Sequence, residues 1–131
     1  MSSAASNTLA LPRQGIVLLA HGSRDTAWRA PIETLAQRAR TLAPEARIIC
    51  AYLSLTEPSL PQAVQSLQAQ GVTHIAVWPM FLGMGRHARD DLPQLLQTLR
   101  TQHPATHFTL HPAIAEHPGV QHAMVQAVLG K

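Results

Sequence analysis

The sequence predicts an α/β fold: a single three-layer domain built on a four-stranded parallel sheet in flavodoxin-like order 2-1-3-4. Three observations carry this expectation. Short apolar runs of strand length recur four times, and each is followed by a segment with helical spacing of apolar residues. The runs are continuous rather than alternating, as strands covered on both faces are. Alternation of this kind implies right-handed helical crossovers between parallel strands, with helices on both sides of the sheet.

Taken in order, Ile16 to Ala20 after Gly15 form the first run, which stops at His21-Gly22-Ser23. Ile32, Leu35, Ala36 and Ala39 then share one helical face, and Pro44 closes that helix. Ile48 to Leu53 repeat the strand signature. Thr56-Glu57-Pro58 read as a helix start, with Leu60, Ala63, Val64 and Leu67 on its inner face and Gly71 beyond its end. The third run starts at Ile75 and breaks at Gly83 and Gly85, and a helix restarts near Asp91 and Pro93 with Leu92, Leu95, Leu96 and Leu99 facing inward. A shorter run, Phe108 to His111, leads to a last helix carrying Val120, Ala123, Met124 and Ala127 at core spacing.

The chain has 131 residues, 46% of them hydrophobic, which suits one core and leaves no room for a second domain. Residues 15–131 are expected to form that domain, and residues 1–14, rich in Ser and Ala at the start, a disordered tail. The tail lacks the basic start and long apolar stretch of a signal peptide, and no later run approaches membrane-spanning length. The lone Cys50 lies in an apolar run and reads as a core thiol. These features point to a cytoplasmic protein without a membrane partner.

The net charge is +3, and nine of the ten basic residues are Arg, whose planar fork suits carboxylates and phosphates. Nucleic acid is not an expected partner, because two Trp, two Phe and one Tyr supply no stacking platform among the cations.

In order 2-1-3-4 the first and third strands are neighbours, and the switch point falls between their carboxyl ends. That brings the His21 and His87 loops to one crevice. Two imidazoles there can bind a borderline metal and leave coordination positions open. Glycines beside both, Gly22, Gly83 and Gly85, let backbone approach a large ligand. Single histidines also cap helices or sit on surfaces, and Arg24, Arg86 and Arg89 read equally as carboxylate clamps or as solvated loop residues. Glu57 reads as an acid or base, or as an ordinary first-turn carboxylate. Asp90 and Asp91 read as caps for the third helix, with a route to orienting His87. His117 and His122 lie five apart on a helix, diverge by about 140° and form no second metal pair. Met84 and Phe81 suit the lining of a flat apolar ligand.

Three stretches, Leu-Leu-Ala-His-Gly-Ser at 18–23, Thr-Glu-Pro-Ser at 56–59 and Pro-Met-Phe-Leu-Gly-Met-Gly-Arg-His-Ala-Arg-Asp-Asp-Leu-Pro at 79–93, together resemble the short sirohydrochlorin cobaltochelatases, the small CbiX-type class II chelatases. The resemblance covers nearly the whole chain from Gly15 and implies that it is one chelatase-like half. It implies insertion of Co²⁺, with Ni²⁺ or Fe²⁺ in relatives, into sirohydrochlorin on the way to cobalamin or sirohaem, with the metal as substrate and no organic cofactor. His21 and His87 match the metal-binding and catalytic histidines. Ser23, Arg24, Met84, Gly85, Arg86 and Arg89 are the expected substrate-binding set, with the arginines expected beside the carboxylates of the tetrapyrrole. Longer chelatases contain two such halves, so a homodimer is implied. Many relatives carry Glu where this chain has Ser54, which leaves Glu57 as the candidate acid or base. Two other classes fit the histidines: a metal or tetrapyrrole carrier without turnover, and a phosphohistidine transfer protein, although no Arg stands immediately before His21.

Overall fold

The structure, a computed structural model, describes residues 13–131. Four strands, β1 (Arg13–Ala20), β2 (Arg47–Tyr52), β3 (Val72–Pro79) and β4 (His107–Leu110), form one sheet in the order β2-β1-β3-β4. Every pairing is parallel, as the alternation of elements requires. Four α-helices connect or follow them: α1 (Ala30–Leu42), α2 (Leu60–Ala69), α3 (Arg86–Gln102) and α4 (Pro118–Leu129). Single 3₁₀ turns at Thr26–Arg29 and Ile114–Glu116 precede α1 and α4. The expected strand order is therefore the observed one. Strand β1 begins at Arg13, so residues 13 and 14 belong to the sheet rather than to the expected tail, and the rest of that expectation, residues 1–12, lies outside the described residues.

The two faces of the sheet are packed unequally. Val17 and Leu19 of β1 point into one layer with Leu60, Val64 and Leu67 of α2 and Leu92, Leu96 and Leu99 of α3. Leu18 and Ala20 point to the other, where Ile32 and Ala36 of α1 meet Ile48, Cys50 and Tyr52 of β2. Four strands about 4.8 Å apart span about 19 Å, roughly the width of two helices of 10 Å diameter. The first face carries two helices. The second carries one.

Several local expectations are corrected. Leu35, assigned to the inner face of α1, is 45% exposed. Thr56-Glu57-Pro58 do not open α2: its N-cap is Ser59, whose hydroxyl accepts from the Gln62 N–H while the Gln62 side chain accepts from the Ser59 N–H. Thr56 instead ties two loops together, its hydroxyl donating to the Ser23 carbonyl at 2.8 Å and accepting from the Ser23 N–H at 3.0 Å. Helix α3 starts at Arg86, not near Asp91, so Pro93 lies inside it and Asp90 and Asp91 are not its caps. A proline there forfeits one helical hydrogen bond, and burial of Leu92, Leu96 and Leu99 offsets that cost. Helix α4 forms where its spacing predicts, but Val120, Ala123, Met124 and Ala127 are not core residues, because no residue of α4 is buried.

Candidate functional site

His21 follows the last residue of β1, and the conformation of the next residue fixes where it goes. Gly22 has φ +101°, and a Cβ built on it would lie 1.7 Å from the Ser54 carbonyl oxygen, so only glycine fits. The close approach lets the His21 carbonyl accept from the Ser54 N–H at 3.1 Å, while the Leu53 N–H donates to Ala20 at 2.9 Å. The ends of β1 and β2 are thereby locked together. The exposed imidazole of His21 then lies on the buried ring of Phe81, with centroids 4.3 Å apart and planes 22° from parallel. A ring held over an immobile ring loses rotamer freedom before any ligand arrives.

His87 reaches the same place from β3. The strand ends at Pro79, the chain turns through Phe81 and the half-buried Met84, and α3 begins at Arg86. His87 is thus in the first turn of a helix rather than in a loop. Asp91 and Leu95 follow it at i+4 and i+8 on the same helical face. The N-cap, Gly85, offers no side-chain hydrogen bond, so the first-turn N–H groups and the positive end of the helix face the cleft beside Arg86.

His21 and His87 line one open cleft of about 470 Å³ at the carboxyl edge of the sheet, with Leu53, Gly85, Arg86 and Asp91 around them and Leu92 and Leu95 beneath. Its lining is mostly apolar, with a few polar groups converging from two strand ends, the arrangement that holds a hydrophobic ring and reads its charged periphery. Among the described residues, no group of three or more His, Cys, Asp or Glu side chains comes together to enclose a metal ion. Two imidazoles leave positions open, which suits an ion in transit rather than one held permanently.

Of the residues expected at the site, His21, His87, Gly85 and Arg86 line this cleft and the others do not. Ser23 is occupied in its own loop, where its hydroxyl accepts from the Asp25 N–H. Arg24 and Arg89 are exposed away from the lining, and Met84 packs against the core. Glu57 faces a separate pocket with Glu33, Gln37, Arg40 and Tyr52, because the loop before Ser59 turns it toward α1. Leu53, Ala88, Leu92 and Leu95 line the cleft without having been assigned to it, and Asp91, expected as a helix cap or as a partner of His87, lines it as well. The 87–91–95 spacing would have identified two of them had α3 been started at Arg86.

The model for CbiX matches residues 15–130. The chain belongs to the CbiX family. It is similar to a sirohydrochlorin cobaltochelatase of Methanothermobacter thermautotrophicus, 34% identical over 91 residues that make up 70% of this chain and 63% of that one. A sirohydrochlorin ferrochelatase of Bacillus subtilis is 27% identical over 118 residues, 88% of this chain and 43% of the relative. The chain spans about three fifths of the length of the archaeal cobaltochelatases it matches. Among solved family structures, a protein described as a cobalamin biosynthesis CbiX protein of Marinobacter aquaeolei superposes with a TM-score of 0.78 at 34% identity, covering 89% of this chain and 95% of that one. The sirohydrochlorin chelatase SirB of Bacillus subtilis subspecies spizizenii, solved in complex with cobalt, gives a TM-score of 0.67 at 25% identity over 76% of this chain and 43% of its own.

Proposed function

We propose that residues 15–131 act as one chelatase-like α/β unit that inserts a divalent metal into sirohydrochlorin, with Co²⁺ the leading candidate and Ni²⁺ and Fe²⁺ the alternatives. The product then feeds cobalamin or sirohaem synthesis. The observation that carries the reading is the convergence of His21, just past β1, and His87, in the first turn of α3, on one open and largely apolar cleft. The names of the relatives, cobaltochelatase and ferrochelatase, supply the reaction class.

The chemistry asks for few groups. The ion must exchange water for ligands, the macrocycle must tilt a pyrrole nitrogen toward it, and two pyrrole protons must leave. One neutral imidazole holds the ion by a ring nitrogen while the other accepts a proton. Asp91, one turn along the helix from His87, is the carboxylate placed to balance the charge of a protonated His87. The macrocycle face lies on Leu53 and Leu95, and its peripheral carboxylates meet Arg86 and the free N–H groups of the first turn of α3. Arg24 and Arg89, outside the lining, are long enough to meet carboxylates at the rim. Imidazole ligands follow the general order of divalent affinities, so the working metal is set by supply rather than by the site alone. The reading places the protein in the cytoplasm, as a homodimer.

Anaerobic absorption spectroscopy of sirohydrochlorin with catalytic protein and each metal in turn tests the proposal. Product exceeding enzyme, after correction for spontaneous insertion, is the expected result. Product that never exceeds enzyme with any of the three metals would replace the chelatase with a carrier.

A further inference from the structure

The amino edge of the sheet, opposite the cleft, carries a second pair of histidines. His74 near the start of β3 and His107 at the start of β4 are in register on neighbouring parallel strands. Their side chains therefore leave the sheet on one face, the face of Trp78 further along β3. The two imidazoles stack, with centroids 4.8 Å apart and planes 19° from parallel, so the ring separation matches the spacing of the strands that carry them. Both side chains are exposed. The insertion chemistry uses neither: the run of strand from His74 to Pro79 is about 16 Å long, and the cleft lies at its far end.

The pair is oriented as well as close. The Thr73 hydroxyl oxygen lies 3.1 Å from Nδ1 of His74. In the tautomer with its proton on Nδ1, His74 donates to that oxygen and keeps its lone pair on Nε2. A hydrogen bond to the far ring nitrogen is what fixes the tautomer and the direction of a histidine that ligates a metal. Both residues stand on paired strands rather than loops, so the β3–β4 ladder holds their backbones in place. Among the described residues, no third His, Cys, Asp or Glu joins them in a group able to hold an ion. Two imidazole nitrogens, with water in the remaining positions, suit a borderline first-row ion and not Mg²⁺ or Ca²⁺, which ask for oxygen ligands.

We propose that His74 and His107 form a second divalent-metal site, separate from the cleft, in which one ion is chelated between a ring nitrogen of each. Affinity follows the general order for imidazole ligands, Cu²⁺ before Ni²⁺ before Co²⁺. An ion about 2.1 Å from each nitrogen needs the two nitrogens roughly 3–4 Å apart. The rings reach that separation by tipping toward one another, a movement open to exposed side chains. An ion held by two protein ligands exchanges readily, and from this edge it reaches His21 only through solvent. The site thus adds one ion per chain to whatever the cleft takes, and it fills without tetrapyrrole.

Calorimetric titration of the full-length His87→Ala chain with Ni²⁺ reads this site with the cleft disabled, so the result does not depend on whether the protein inserts metal. One equivalent is expected to bind in that chain. Adding His74→Ala or His107→Ala should each abolish it with unchanged circular dichroism, since both side chains are exposed. Removing both should do no more than removing either, because two ligands of one ion act as a unit. Thr73→Val keeps a strand-forming residue and removes only the hydroxyl, and should weaken binding at least about tenfold. In the otherwise unaltered chain, His107→Ala should leave insertion into sirohydrochlorin within about twofold of wild type, as substitutions at distant sites do. Nickel binding that survives either histidine substitution, is indifferent to Thr73→Val or is absent from the His87→Ala chain would overturn the site. Loss of insertion in the folded His107→Ala chain would overturn its separation from the cleft.

Discussion

The imidazole of His21 lies 4.3 Å, centroid to centroid, from the ring of Phe81, and the two planes are within 22° of parallel. Phe81 is only 5% exposed and belongs to the core cluster with Leu92 and Leu96, whereas His21 is open to solvent. The core thus extends one aromatic face out to the cleft, and a group expected to bind metal rests on it. Phe81→Leu separates the two roles of the ring. Nearly conserved volume limits the stability loss to about 1.5 kcal/mol, but the flat support disappears. Metal insertion should fall about tenfold in kcat at temperatures where the variant remains fully folded. If turnover and stability instead fell together, the ring would be a packing residue only.

His87→Ala tests the second histidine. The side chain is exposed in the first turn of α3, so unfolding free energy should change by no more than about 0.5 kcal/mol while insertion is lost. Glu57→Gln is its counterpart, because Glu57 faces the pocket of Glu33 and Arg40 rather than the cleft. Its turnover should stay within about twofold of wild type. A tenfold loss in the Glu57 variant, or wild-type rates in the His87 variant, would move the reaction centre elsewhere.

Gly22→Ala is predicted to be costly beyond its size. The left-handed φ of +101° and the packing of Gly22 against the Ser54 carbonyl cannot both survive a Cβ, so the β1 and β2 ends must part. A destabilisation of at least about 1–3 kcal/mol follows from the backbone conformation alone. His21 should move with its carbonyl, so cobalt binding measured by titration should weaken as well. Unchanged stability together with unchanged metal binding would contradict the locking role given to this turn.

The strand order, the neighbouring positions of β1 and β3 and the two cleft histidines were legible because they depend on long-range pattern: four apolar runs, four helical segments and the topological rule that joins them. Local punctuation was less reliable. Pro93 and Pro58 each resembled a first-turn proline, yet α3 runs through Pro93, and Ser59 takes the cap that Thr56 was given. That error kept Asp91 and Leu95 out of the expected site. The Phe81 platform and the turning of Glu57 toward α1 arise from packing between segments tens of residues apart, for which spacing carries no signal. The exposed position of α4 was hidden for a similar reason: Val120, Ala123, Met124 and Ala127 have the spacing of an inner face, and spacing does not say whether a core receives them.

On the face of the sheet away from the cleft, the Tyr52 hydroxyl is buried without a hydrogen-bond partner. Burial pushes its pKa from the usual 10.0 up to about 12, with the Cys50 thiol and the Glu33 carboxylate acting in the same direction and Arg29 opposing them. The Cys50 thiol is itself raised, by burial first. Both shifts have the same sign for stability. An unfolded chain releases the tyrosine proton near pH 10 while the folded chain holds it, so the unfolded state binds fewer protons between the two values and stability falls as pH rises through that window. The contribution is complete below pH 10 and largely gone by about pH 12. Tyr52→Phe should therefore cost little at neutral pH, because it removes a buried hydroxyl with no partner, and should flatten the alkaline loss. Urea unfolding of both proteins at about pH 8 and about pH 11 measures the difference. Equal losses of stability in the two proteins would assign the alkaline sensitivity to another group.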